Sequence, residues 1–280
     1  MPTSVAEPVL EIVPDRLCKL PVFRPVAAKV LRILASSAVE VPEVVKNIQA
    51  DPGLGAEVLT LANSPLFGFA SSIRSVPHAI VVLGLERTKR LMMTVAMRAY
   101  LKTGLNTKPV QQCWHHSLAC ALLAEELAPL YAVAKDTAYT AGLMHDVGRA
   151  GLLAAYPKEY GPMFAGMHET VAGIMAEEKR LFDLDHCKAG LWLTRAWGFP
   201  EEFGSVSCRH HDESDARGLT SLVRLACVFA DTLGFEAIPY RERPSLEDLF
   251  CMLPPELYGR LPCDFDGLQE RIRKTIQSLG

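Results

Sequence analysis

The stretch GLMHDVGRAGLL, Gly142 to Leu153, sets a histidine and an aspartate side by side among apolar residues. Burying such groups is costly unless they are paired, hydrogen-bonded or bound to a metal. His145 and Asp146 are not alone. His116 lies in the amphipathic segment QQCWHHSLACALLAEELA, and His186 opens HCKAGLWLTRAWGFP. His210 and His211 end EEFGSVSCRHHDE, and Asp231 closes the apolar run LACVFAD. Imidazole and carboxylate together suit Fe, Mn, Zn or Ni, whereas Ca or Mg would prefer oxygen alone. A helical bundle can bring such groups from separate helices to one interior point, and this set is large enough for a two-metal centre. Spacing alone also allows the opposite: helices that point these groups apart, each histidine structural or solvated.

The elements that must position them read almost everywhere at helical period. Val26, Val30, Ile33 and Leu34 form one stripe within Phe23–Ala35, and Pro42 suits the first turn of the next helix. Asp51-Pro52 reads as an N-cap followed by proline at the first helical position, opening a helix to about Asn63. A short helix starts at Ser75-Val76-Pro77 and ends at Gly84, and Leu85–Leu101 continues with i, i+3, i+4 apolar spacing. The polar stretch Lys102–Pro109 marks a boundary, giving an N-terminal lobe over 1–105 and a C-terminal lobe over 106–280. Beyond it helices are predicted at about 110–130, 136–156, 168–182, 185–197, 200–211, 216–234 and 267–279. The proline-rich stretch between about 235 and 266 is irregular. An all-α chain is expected, without internal repeats.

Composition narrows the function classes. The chain has 280 residues, 49% hydrophobic and 22% charged, with a formal net charge of −3. That balance argues against a broad nucleic-acid surface, since such binders carry a basic face. No apolar run approaches the ~20 residues that span a bilayer. The start, MPTSVAEPVLEIVPD, lacks the charged and apolar regions of a signal peptide. The eight cysteines form no C-x-x-C pair and sit mostly in apolar segments, as reduced buried thiols do. A cytoplasmic location is expected.

The order H…HD…H…HH…D resembles the metal-ligand pattern of the HD superfamily, in particular its HD-GYP branch. The first half is similar to the HDOD domain, the HD-related output domain. LPVFRPVAAKVLRIL, IQADPGLGAEVLTLANSPLFGF and SVPHAIVVLGLERTKRLMM carry its LP start, DP-x-L cap, LANS turn and I-x-x-LG helix. W-x-HS, HDVG, H-x-x-xG and HH follow in order, so the resemblance covers about Leu17 to Phe235. It implies a multi-helix HDOD fold, an N-terminal lobe packed on an HD-like bundle. It implies His116, His145, Asp146, His186, His210, His211 and Asp231 as ligands of divalent transition metal. The chain departs from HD-GYP phosphodiesterases in two places. DESDARGLTS follows His211 with no GYP triplet, and Arg149 stands where that branch usually has lysine.

Other residues admit two readings each. Arg149 and Lys188 are candidate phosphate contacts or ordinary solvated charge. Cys208 is a candidate thiolate or a small apolar packer, and packing is favoured. His115 points about 100° away from His116 and is left out. His78 reads as structural and His168 as exposed at a helix start. Leu66, Phe67 and Phe69 read as packing between lobes in preference to a partner surface.

Three functions remain. A signalling output module would bind partner proteins in trans, its metal structural or vestigial. A metal-dependent phosphohydrolase would use two ions to generate hydroxide. A receptor would bind a nucleotide second messenger without turnover. The missing GYP loop and Arg149 favour the first, so cyclic dinucleotide binding is allowed for and its hydrolysis is not expected.

Overall fold

The computed structural model describes residues 13–20, 25, 26, 29, 30, 33, 39–64, 67, 72–101, 107–212, 218–252 and 265–279. The stripe in Phe23–Ala35, the aromatic turn apart from Phe67, most of the Lys102–Pro109 boundary and most of DESDARGLTS fall largely outside them. Among the described residues there is no strand, and one isolated bridge pairs His168 with Tyr240.

The helices run α1 Asp15–Cys18, α2 Val41–Gln49, α3 Pro52–Ala62 and α4 Val76–Leu101. They continue with α5 Lys108–Leu127, α6 Lys135–Met144, α7 Val147–Ala155 and α8 Pro157–Tyr160. Then follow α9 Val171–Phe182, α10 His186–Ala196, α11 Glu201–Arg209, α12 Leu219–Thr232, α13 Leu246–Met252 and α14 Phe265–Leu279. Asp51 caps α3 as expected, its carboxylate accepting the Leu54 N–H at 3.0 Å. Gly84 kinks α4 with φ 71° and ψ 175°, a conformation open to glycine. One contiguous core reaches from Leu17 through Met92, Leu118 and Leu143 to Ile276.

Three sequence boundaries shift, and each shift bears on the site. The helix expected over 136–156 is two helices, broken at His145 and Asp146, where Asp146 sits at φ −104° and ψ 18°. The helix expected from 168 starts at Val171, because the Thr170 hydroxyl caps it through the Gly173 N–H at 3.0 Å. His168 is therefore partly buried in the bridge, its Nε2 3.1 Å from the Met163 carbonyl, and is not exposed at a helix start. The helix expected to 211 ends at Arg209, so His210 and His211 lie in the turn beyond it.

Close backbone approaches fix where these turns sit. A Cβ on Gly142 of α6 would lie 2.8 Å from the Cys120 carbonyl of α5. A Cβ on Gly148 of α7 would lie 1.9 Å from the His186 carbonyl and 2.6 Å from the Gly190 nitrogen. The HDVG turn is thus pressed directly onto the start of α10.

Candidate metal centre

Four histidines are oriented alike. The Nδ1–H of His116 donates to the Phe235 carbonyl at 3.0 Å, and that of His145 to the Gly142 carbonyl at 2.6 Å. The Nδ1–H of His210 donates to the Ser207 carbonyl at 3.0 Å, and that of His186 to Glu178 Oε2 at 2.6 Å. A carbonyl oxygen can only accept, so Nδ1 must carry the proton. Each ring then turns Nε2 toward a shared interior point, the arrangement by which outer groups orient metal-ligating imidazoles. Gly234, at φ 83°, closes the turn after α12 and so presents the Phe235 carbonyl to His116.

The Nε2 atoms meet without enough protons to go round. His116 Nε2 lies 3.2 Å from His145 Nε2, and His211 Nε2 lies 3.2 Å from His186 Nε2. Asp146 links the two pairs: its Oδ2 is 3.8 Å from His116 Nε2, and its Oδ1 is 3.4 Å from His186 Nε2 and 3.7 Å from His210 Nε2. Asp146 Oδ1 and His210 Nε2 are fully buried and have no hydrogen-bond partner. Buried orphans of this kind are rare and call for an ion or a water. The thiols of Cys120, Cys187 and Cys227 also face imidazole nitrogens, at 3.7, 3.5 and 3.6 Å. The donor set, nitrogen and sulfur with one free carboxylate oxygen, fits a transition metal and not Ca or Mg.

Electrostatics divide the imidazoles of the centre. Burial opposes ionisation of Asp146, but Arg149 first, then His186 and His145, hold its carboxyl well below the usual carboxylate range. Burial, then the neighbouring His145, pushes His210 down to about 3, keeping it the neutral ligand-competent imidazole. Burial likewise pushes His211 down. His116 goes the other way: burial opposes its cation, yet Cys227, Asp231 and Asp146 raise it to about 10.

The structure brings most of the sequence-derived candidates together but divides their roles. His116, His145, Asp146, His186, His210 and His211 surround one centre. Asp231 stands behind His116, its Oδ1 3.4 Å from Nδ1 and its Oδ2 accepting the Tyr240 hydroxyl at 2.7 Å. Burial, then the Cys227 charge, raises its carboxyl to about 7. The two candidate phosphate contacts lie in different settings. Lys188 is exposed on the first turn of α10, where its N–H closes the Asp185 cap. Arg149 is buried, and its fork is engaged: Nε with Asp146 Oδ2 at 2.8 Å, Nη1 with Glu178 Oε1 at 3.0 Å, Nη2 with His186 Nε2 at 3.3 Å. Cys208 is half-buried and outside the thiol groups at the centre, as a packer would be.

Sequence reasoning missed Glu178. It lies in AEEKR, which looks like a solvated helix face, yet its side chain is wholly buried. Its Oε2 accepts the His186 N–H and Nδ1–H, and its Oε1 accepts Arg149 and, at 2.5 Å, the Tyr160 hydroxyl. Burial works against ionisation, but His186, then Arg149, hold the carboxyl down to about 2 from an ordinary 4.5. Because folding depresses it, its stabilisation is present above about pH 4.5 and is lost as pH falls through about 2. Glu178→Gln should therefore cost about 3 kcal/mol at pH 7, with the difference from wild type closing toward pH 2. Denaturant melts of both proteins across that range check this; a difference independent of pH would contradict it.

The centre opens into a cavity of about 20 Å³, lined among others by His116, Asp146, Arg149, His211, Cys227 and Asp231. The HDOD domain model matches residues 20–213, well over half of the chain. The chain belongs to the HDOD domain family. Its fold is similar to that of an HDOD domain protein from Geobacter sulfurreducens, at TM-score 0.73 and 24% identity over 94% of each chain. It is also similar to a candidate phosphohydrolase from Shewanella amazonensis SB2B, at TM-score 0.69 and 21% identity over 95% of this chain and 97% of that one. A candidate signal transduction protein from Marinobacter aquaeolei VT8 matches at TM-score 0.68 and 19% identity, over 93% of this chain and 59% of that one. At these identities the three establish the HDOD fold alone. A relative from Treponema pallidum (strain Nichols) is 24% identical over 82% of this chain, which spans 45% of that protein's length. No helix among the described residues of this HDOD chain is long and apolar enough to cross a membrane.

Proposed function

We propose that the chain is an HDOD signalling output module that binds partner proteins in trans and is built around a buried transition-metal centre, without hydrolytic activity. The observation that carries this reading is the cavity at the centre. Its volume of about 20 Å³ holds about one water. A space of that size takes a water or an ion held between the lining side chains.

Arg149 supports the same reading. Its donors neutralise Asp146 and Glu178, so it holds the centre together and leaves little for a phosphate. Asp146, His186, His210 and His211 would hold one ion, and the His116–His145 pair faces a second position. Fe, Mn, Zn and Ni all suit imidazole with carboxylate. Such a metal supplies Lewis acidity and lowers the pKa of coordinated water. On this reading the 1–105 lobe packs on the 106–280 lobe that carries the centre. A net charge of −3 speaks against nucleic acid as a partner. The free state of the described cysteines suits a cytoplasmic location.

The runner-up, a metal-dependent phosphohydrolase, is favoured by the two unpartnered atoms, Asp146 Oδ1 and His210 Nε2. Incubating Mn- or Fe-loaded protein with cyclic di-GMP and a panel of phosphoesters separates the two. No turnover is expected; turnover that disappears in Asp146→Asn would overturn the signalling reading.

A further inference from the structure

The centre has a sulfur side that the histidine and aspartate pattern does not account for. Cys120 follows His116 by four residues on α5, so both project from one face of that helix. Cys227 comes from α12 and His145 from the turn after α6. The four ligand atoms, His116 Nε2, Cys120 Sγ, His145 Nε2 and Cys227 Sγ, all lie within 4.8 Å of one another, and all four residues are buried.

The spacing matches a specific coordination shell. Zn–N and Zn–S bonds of about 2.0–2.1 Å and 2.3 Å give a tetrahedron with edges of about 3.3 Å between nitrogens and about 3.6 Å between nitrogen and sulfur. The observed edges are 3.2 Å between the two Nε2 atoms, and 3.7 and 3.6 Å from His116 Nε2 to Cys120 and Cys227. Thiol–imidazole hydrogen bonds do not explain the cluster as well. Both thiols and a second imidazole nitrogen crowd the same His116 Nε2, which can make one good hydrogen bond at a time whether it donates or accepts. A single cation satisfies all four at once.

We propose that His116, Cys120, His145 and Cys227 form a closed tetrahedral zinc site beside the Asp146–His186–His210–His211 position. The proposal rests on the reading that this centre holds metal, and it adds which donors do so and which metal they select. Two sulfurs and two nitrogens in a tetrahedron favour zinc over Mn and Fe. Four protein ligands leave no open position for water, the mark of structural rather than catalytic zinc. The i, i+4 pairing of His116 with Cys120 assigns α5 two ligands, and Cys227 ties α12 to it.

Cobalt(II), added to chelator-treated full-length protein, reports the ligands directly. A thiolate-to-cobalt charge-transfer band in the near ultraviolet and intense tetrahedral bands in the visible are expected. Zinc should abolish them at one equivalent. Cys227→Ser and Cys120→Ala should each weaken the charge-transfer band and lower zinc affinity by more than about 100-fold, the double variant should lose the band, and Cys208→Ser should retain both. Cobalt bound by the wild-type protein without a charge-transfer band would refute sulfur ligation and leave the metal centre standing. Uptake of neither cobalt nor zinc would refute both. The wild-type spectrum decides the matter even if a cysteine variant fails to fold.

Discussion

Gly148→Ala is expected to destabilise the chain by about 3 kcal/mol or more, the largest stability effect of any single methyl group added near the centre. The added Cβ would lie 1.9 Å from the His186 carbonyl and 2.6 Å from the Gly190 nitrogen, both backbone atoms of α10. A flexible side chain could swing aside, but a helix backbone cannot. The collision must instead separate α7 from α10, carrying Asp146 away from His186, now 3.4 Å apart. Metal affinity should fall together with stability. Denaturant unfolding of the variant, paired with its metal content, tests the pair of effects. A variant as stable as wild type would mean that the two helices are not pressed together at this point.

Asp146→Asn is expected to lower metal affinity at the Asp146–His186–His210–His211 position by more than about 100-fold while the chain stays folded. Asparagine keeps the volume and can still accept the Arg149 Nε–H, which donates to Asp146 Oδ2 at 2.8 Å. It removes the charge that faces His186, His210 and His116. Asp146→Ala is the less informative change. It leaves the Arg149 guanidinium short of one of its two buried counter-charges, a loss of about 3–5 kcal/mol that would blur metal loss with unfolding. Circular dichroism and metal content of the asparagine variant should therefore separate: helix retained, and the equivalent held at the Asp146–His186–His210–His211 position lost. Metal retained at the wild-type ratio would remove Asp146 from the ligand set.

Much of this was legible before any coordinates. Apolar period marked the helices, Asp51-Pro52 marked a cap, and Gly84 marked a helix end where the structure has a kink, because each is a local backbone preference. The six converging candidate residues were legible as residue types that apolar surroundings do not tolerate unpaired. The break at His145–Asp146 was hidden, since the apolar pattern of α6 runs on into α7 and the nearest glycines, Gly142 and Gly148, lie inside the two helices. The convergence of both His210 and His211 was hidden for a related reason. Neighbours on a helix diverge, and only the ending of α11 at Arg209 lets the two share a site. Glu178 was concealed by its charged neighbours, and Cys120 and Cys227 by looking like apolar packers. The spacing signal for the thiols was present all the same: Cys120 follows His116 by four, and Cys227 precedes Asp231 by four. Arg149 was left open between phosphate contact and solvated charge, because sequence shows its donors and not the carboxylates that engage them.

The central claim is that the inward-facing imidazoles and Asp146 hold metal, and elemental analysis of the purified full-length protein tests it most directly. Prepared without chelator, the protein should carry at least one equivalent of a transition metal per chain that survives desalting. A metal-free protein that also fails to take up zinc, iron or manganese on titration would contradict the account.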